Sequence, residues 1–402
     1  MSAEPSFHRN PYRPGAGIAP TYLAGRDRIL RRIDNTLLGA PELPANVKVT
    51  GLRGVGKTVL LKEVERRANE SLGWLTSRVQ IEPRHNQEED LADLIEDLSK
   101  RAIHQASRAA RLRSRVGGVV GTARGFMKVS FEDFEFSLSG SSARTGDVAK
   151  ALYLAAGAAD KHGYNGYLLL LDEAQILRDD KNRNGEHPLS LLIAAVNSLQ
   201  EEGVPVALIL CGLPTLKANL LKARTYSERM FRGEEVAGLE DTDDAVAAFV
   251  KPLETTNVHA TEELVRRVVR EVEGYPYFIQ LWGAEMWDAA RQGRLETLTP
   301  ELLDAVEPDI YRRLDQDFYD TRVESLTPAE QDLLMATAHC PYPPLKTADI
   351  RNHSPKTDAN VNVLMGRLAD QGVVYRIQKG IYEYTAPKFD GYLARRAERL
   401  GL

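Results

Sequence analysis

Short, nearly continuous apolar runs separated by longer stretches of helical period fill the chain from about residue 45 to 239. The runs are "NVKVT", "TSRVQIE", "YLLLLDE", "VALILCG" and finally "EEVAGL". A strand that is apolar throughout is buried on both faces, and helices between such strands carry the chain back to the same edge. Together they predict an α/β fold with a parallel sheet covered on both sides. An amphipathic helix in "LAGRDRILRRIDNTL" starts behind Asp27, ahead of the first run. Residues 1–21 hold several Pro and Gly without a period, which predicts an arm laid over the surface rather than a core element.

Two departures from this alternation divide the rest. Residues 98–131 contain no acidic residue yet carry Lys100, Arg101, Arg108, Arg111, Arg113, Arg115, Arg124 and Lys128, and "MKVSFEDFEFSLSG" at their end alternates like a strand. This predicts a basic helix and hairpin inserted at about 98–145. Arg101, Arg108 and Arg115, with Arg111 beside them, align at near-helical spacing. Such a stripe either tracks phosphates or is a solvated or subunit-facing surface. From about 240 to 322 the pattern is wholly helical. At "SLTPAEQDLL", Thr327, Pro328 and Glu330 form a capping-box start. Two further helices, "KTADIRNH" and "TDANVNVLMGRLADQG", are followed by alternating runs that turn at Lys379-Gly380. Three helices and a hairpin are the winged-helix arrangement. The expected segments are therefore an arm (1–21), an α/β core (22–239), a helical lid (240–322) and a winged helix (323–402).

Bulk composition narrows the class only a little. With 402 residues the chain can bury a substantial core. Two cysteines, Cys211 and Cys340, are too few for a disulfide framework and point to a reducing, cytoplasmic setting. The first residues lack the apolar core of a signal sequence, and no stretch approaches the ~18 apolar residues of a membrane span. A net charge of −5 leaves any nucleic-acid contact to a local patch.

The candidate chemistry sits at the strand ends. Gly51-Leu-Arg-Gly54-Val55-Gly56-Lys57-Thr58 fits G-x-x-x-x-G-K-[ST] between a strand and a helix. Its glycines let backbone N–H groups wrap phosphates, the helix N-terminus through Val59 adds positive potential, Lys57 reaches the outer phosphates and Thr58 holds Mg²⁺. Some 115 positions downstream, "YLLLLDEAQ" puts Asp172 at the end of a buried strand as a second Mg²⁺ ligand, with Glu173 next to it to activate the attacking water. Arg229 and Arg232, in "ARTYSERMFRGEEVAGL", lie just before the last expected strand, where an arginine reaches a γ-phosphate in a neighbouring subunit. Spacing does not separate them from Arg224, and surface charge is the plainer reading.

These motifs, with "LILCGLP" and "GYPYFIQLWG" in order, resemble AAA+ ATPases of the origin-recognition/initiator and STAND-like group that end in a winged helix. The resemblance implies a sheet of order 5-1-4-3-2, ATP and Mg²⁺ as cofactors, and a helical lid over the nucleotide. It places Gly25 and Arg26 of "LAGRD" near the adenine and gives Pro276, in the Gly274-Tyr275-Pro276 lid motif, a role in sensing nucleotide. Two positions depart from the family pattern. The fourth strand ends Cys211-Gly212-Leu213-Pro214-Thr215, so that Thr215 substitutes for the usual polar sensor or the sensor is missing. No arginine stands beside Tyr275. Both departures slow turnover without weakening binding.

If the last domain is a winged helix, Lys356, Thr357, Asn360, Asn362 and Arg367 face a DNA groove and Arg376 and Lys379 lie on the wing near phosphate. Against this, residues 325–402 hold ten Lys and Arg to eight Asp and Glu, a nearly balanced surface suited equally to protein contacts. Tyr275, Tyr277, Phe278, Trp282 and Trp287 sit at lid-helix spacings that favour core packing over base stacking. Two readings result. One is an ATP-hydrolysing switch that couples nucleotide state to self-assembly and DNA. The other is a slow or non-hydrolysing scaffold in a protein complex.

Overall fold

The structure, a computed structural model, describes residues 9–15, 17–115, 143–179, 186–223, 227–239 and 242–401. The chain divides into two compact units, one of Arg26–Gly51 with Lys57–Val236 and one of Met1–Gly25, Leu52–Gly56 and Ala237–Leu402.

The first unit is built on β1 (Val47–Thr50), β2 (Leu75–Gln80), β3 (Tyr167–Asp172), β4 (Val206–Gly212) and β5 (Arg232–Glu235). They pair in parallel in the order β2-β3-β4-β1-β5, the order implied by the resemblance. β3 and β4 are buried at every position, which is why they are apolar from end to end. The helix Asp27–Leu38 buries Ile29, Leu30, Ile33 and Leu37 along one stripe. β5 begins earlier than its apolar residues suggest. Arg232 pairs with Val47, and its N–H donates to Asn46 O at 2.9 Å. Arg232 is thus the first residue of the strand, not part of the loop before it; an edge strand needs no apolar alternation there.

The basic segment also differs from expectation. A single helix, Glu88–Arg115, runs from an acidic first half into the basic second half. Leu91, Ile95, Leu98, Ala102 and Ala106 are all buried, so the apolar stripe continues unbroken past residue 98 and these positions belong to the core helix. Arg101 and Arg108 lie exposed on the opposite face. Lys100 pairs with Glu96 at 2.6 Å and Arg101 with Asp97 at 3.9 Å, which uses part of the stripe's charge within the helix. The expected hairpin, with Arg124 and Lys128, lies outside the described residues, as do the side chains of Arg113 and Arg115.

The second unit contains the helices Thr242–Val250, Glu262–Val272, Pro276–Gly293 and Pro300–Leu314. Between them, β6 (His259–Ala260) and β7 (Thr297–Leu298) form a parallel pair too short to show a period in sequence. The helix Pro300–Leu314 continues through a π-helical turn, Asp315–Asp320, into the short helix Thr321–Glu324. Next come helices Pro328–Ala336, Thr347–His353 and Asp358–Asp370, a sheet of order β8-β10-β9 (Leu345–Lys346, Ile381–Tyr384, Val374–Gln378), and a closing helix, Phe389–Leu400. The cap at Thr327 forms as expected, its N–H donating to Glu330 Oε2 at 2.9 Å.

One continuous core runs through this unit rather than a separate core for each half. Tyr319 from the π turn stacks on Tyr392 with ring centroids 4.8 Å apart, and its hydroxyl donates to Pro387 O at 2.6 Å. The arm joins the same core. Tyr12 is buried, with its hydroxyl donating to Phe249 O at 2.6 Å, so this residue is a core element despite the irregular sequence around it. Phe278, Trp282 and Trp287 are buried too, which assigns them to packing. Among the described residues no helix is long and apolar enough to cross a membrane.

Candidate active site

β1 ends at Thr50 and the chain turns through Gly51 to Gly56 into the helix Lys57–Glu70. Gly54 and Gly56 have φ of +80° and +89°, where a Cβ is strained, so the turn itself requires glycine at both places. Gly51 N–H donates to Gly212 O at 3.2 Å and ties the start of the loop to the end of β4. Val55 is buried, Val59 half-buried and Lys57 buried at 8% exposure. The first N–H groups of a helix have no partner four residues back, and the helix dipole adds positive potential there. A phosphate group is the natural acceptor for such a terminus.

β3 brings Asp172 to the same strand-end edge, buried at 3% exposure. Its two oxygens are divided between two partners: Oδ2 accepts from the Thr58 hydroxyl at 2.7 Å and Oδ1 from Glu173 N–H at 2.9 Å. Glu173 adopts a left-handed backbone, φ 53°, which costs a residue with a Cβ about 1 kcal/mol or more. The turn takes the Glu173 side chain off the line of the strand. Its Oε2 accepts from Gln175 Nε2 at 2.5 Å, and Gln175 Oε1 accepts from Leu213 N–H at 3.0 Å.

Gln175 explains the unusual end of β4. A Cβ at Gly212 would come within 2.3 Å of Gln175 Oε1, so the carboxamide occupies the space that a side chain there would need. Thr215, the sequence's candidate for the polar group after β4, begins the helix Thr215–Ala223 instead. The polar group hydrogen-bonded to Glu173 is Gln175. We expect Gln175→Ala to lower the steady-state rate of phosphate release about tenfold, the worth of one charge-assisted hydrogen bond, with ATP affinity within about twofold of native. An unchanged rate would show that Gln175 does not position Glu173.

Beside Asp172, burial pushes the Cys211 thiol well above its usual range, and the Asp172 charge adds to this while Lys57 opposes it. The thiol therefore stays protonated. As a Mg²⁺ site the oxygens fit. Thr58 Oγ1 and Asp172 Oδ2 are hard donors 2.7 Å apart, and Mg²⁺ takes one or two such protein ligands and completes its shell from phosphates and water. Among the described residues no cluster of three or more His, Cys, Asp or Glu offers an all-protein cage.

The other candidates are more dispersed. Gly25 has φ +64°, and a Cβ there would lie 2.8 Å from both Asp244 Oδ2 and Leu239 Cδ2; Arg26 is buried and precedes the helix Asp27–Leu38. Pro276 is the first residue of its helix, and Tyr277 N–H donates to Gly54 O at 3.3 Å. Arg229 is exposed on the short helix Ser227–Met230. Arg232 reaches Thr36 Oγ1 at 3.3 Å and Glu234 at 3.9 Å within the chain, and Arg224 lies outside the described residues. Of the C-terminal set, Thr357, Asn360, Asn362, Arg367, Arg376 and Lys379 are exposed, whereas Lys356 is turned to Asp332 at 3.4 Å. No sequence signal marks Gln175, although "DEAQ" contains it, or Arg53 within the loop, or Arg322, which the fold brings near Arg53.

Comparison with known proteins agrees with this geometry. A family described as AAA ATPase domain matches residues 22–210, and a domain of unknown function, DUF8462, matches residues 316–393. No curated protein sequence matches the chain. Among solved structures, the Walker-type ATPase PABY2304 of Pyrococcus abyssi is similar at 18% identity and TM-score 0.54, covering 92% of this chain and 96% of its own. The ORC2 protein of Aeropyrum pernix, solved as ADPNP–ADP complexes, is similar at 14% identity and TM-score 0.54, with 95% of each chain covered. The glycine loop, the paired Asp172 and Glu173, the sheet order and the family match together identify residues 22–210 as an AAA ATPase domain, in a chain whose fold is similar to that of the Pyrococcus Walker-type ATPase and the Aeropyrum ORC2 protein.

Proposed function

We propose that the protein is an ATP-driven switch of the initiator/STAND type, in which hydrolysis at Glu173 resets a state that the C-terminal helices report to DNA. The observation that supports the nucleotide half is the Thr58–Asp172–Glu173–Gln175 chain of hydrogen bonds, in which the two residues we assign to Mg²⁺ stand next to a restrained carboxylate. Lys57 and the loop amides bind the phosphates of ATP, Thr58 and Asp172 hold Mg²⁺, which neutralises phosphate charge when bound, and Glu173 takes the proton of the attacking water. The nucleotide complexes of the Aeropyrum ORC2 protein support the binding role by fold.

For the DNA half we read Thr347–His353, Asp358–Asp370 and the β9–β10 hairpin as a winged helix. Asn360, Asn362 and Arg367 are exposed on one helix and Arg376 and Lys379 on the wing, as base and phosphate contacts need. Arg229 is the arginine we assign to a neighbouring subunit's γ-phosphate, since it is exposed and Arg232 has partners at home. A second reading has support of its own. Val363 at 54% and Ile377 at 50% exposure are apolar residues on those same surfaces, and Lys356 is spent on Asp332; both favour a protein partner. Duplex affinity measured at two salt concentrations with and without a slowly hydrolysed ATP analogue separates the readings. We expect binding that weakens with salt, and a loss of roughly one unit of salt slope for each of Arg376→Ala and Lys379→Ala. No binding at low salt in either nucleotide state removes DNA from the proposal.

A further inference from the structure

At the crest of the glycine loop the second unit holds two arginines that have no ion-pair partner among the described residues. Arg53 belongs to the loop, and its backbone N–H donates to Thr385 O at 2.9 Å. Arg322 comes from the short helix Thr321–Glu324 that leads into the last segment, and its guanidinium lies over the Phe318 ring, 4.2 Å from the centroid. Phe318 stacks on Tyr277 at 5.0 Å, and a Cβ on Gly54 would lie 3.4 Å from Tyr277 Cβ and 3.6 Å from the Phe318 ring. The π turn therefore packs Phe318 against the loop with Arg322 over the ring, a distortion of the kind that helices keep at functional sites.

The pair lacks what a structural arginine normally has. Arg53 Nε and Arg322 Nη1 are both buried atoms without a hydrogen-bond partner, and among the described residues neither guanidinium has a carboxylate in ion-pair range. Burial, followed by the neighbouring Arg53 charge, pushes Arg322 down to about 10, so the two cations repel each other in a half-buried setting. An unpaired buried donor carries a desolvation cost, and a like-charge pair adds to it. An oxyanion between the two guanidiniums removes both costs, and planar N–H forks are suited to phosphate oxygens.

We propose that Arg53 and Arg322 form an anion site on the crest of the glycine loop that takes the terminal phosphate of the bound nucleotide. The inference rests on the nucleotide-binding reading above and adds a residue outside every motif of that reading. Because Arg322 lies on the helix leading into residues 328–400, the presence of a third phosphate acts directly on the C-terminal helices. ADP leaves the two cations unneutralised, and ATP draws them together.

The test compares affinities for a non-hydrolysable ATP analogue and for ADP in the full-length protein, the Arg322→Ala and Arg53→Ala variants, and a Lys57→Ala control. Each arginine variant is expected to lose about 10–100-fold in analogue affinity and to keep ADP affinity within about threefold. Without nucleotide, Arg322→Ala is expected to melt no lower than the native protein, since a repulsion is removed; an arginine with a merely structural role would lower the midpoint. Equal losses for analogue and ADP, or unchanged affinities in both variants, overturn the assignment while leaving the nucleotide-binding reading intact. A native protein that binds neither nucleotide, like the Lys57→Ala control, overturns both. Inorganic phosphate titrated into the ADP-bound protein tests the other source of the same chemistry. If it stabilises the native protein as the analogue does while analogue affinity is unchanged in the variants, the pair takes free phosphate and the nucleotide assignment fails.

Discussion

Glu173→Gln will bind ATP as the native protein does and release almost no phosphate. The substitution keeps the shape of the side chain and an oxygen that accepts from Gln175 Nε2, so the hydrogen-bonded chain through Gln175 to Leu213 is preserved. Neither the Thr58–Asp172 pair nor the Asp172 bond to the residue 173 amide involves the lost charge. What disappears is the capacity to take a proton from water, a contribution worth about 10²–10⁴-fold in rate. Phosphate release under saturating ATP, beside a direct titration of nucleotide binding, checks both halves of the expectation. Near-zero and equal rates in native and variant proteins would instead establish the non-hydrolysing scaffold.

The parts of this fold that are legible in sequence are those whose signal is local. The glycine loop joins a strand to a helix over consecutive residues, and β3 and β4 are apolar throughout because each is covered on both faces. The sheet order follows from the resemblance those motifs carry. Gln175 is hidden because its importance comes from register: Leu171 stands opposite Leu210, so the turn after β3 lies against the end of β4. Only then does Gly212 become the space that Gln175 fills. Arg232 is misplaced for a similar reason, since β5 is extended by pairing with Val47 rather than by its own side chains. The helix Glu88–Arg115 changes charge halfway while its buried stripe does not change at all. Composition marked a boundary where packing has none. Arg53 and Arg322 are far apart in the chain, and neither falls at a motif position that chemistry would single out.

Lys57→Ala will abolish the response to nucleotide without unfolding the protein. Lys57 opens its helix and is buried at 8% exposure, close enough to the strand ends for its charge to act on the Cys211 thiol. A phosphate chain in the glycine loop has the backbone amides as neutral donors, and Lys57 is the cation that we assign, from the first turn of the helix, to the outer phosphates. Removing it takes away a charge-assisted contact in a water-poor setting, and we expect ATP and ADP affinity to fall at least about 100-fold, or about 2.7 kcal/mol. The glycine conformations at Gly54 and Gly56 and the Gly51 to Gly212 bond do not depend on the ammonium, so the loop retains its shape. Melting curves distinguish the two effects. The native midpoint rises with nucleotide concentration as ligand binds the folded state alone, whereas the variant midpoint stays flat. A variant that keeps the nucleotide-dependent rise would mean that Lys57 does not face the phosphates.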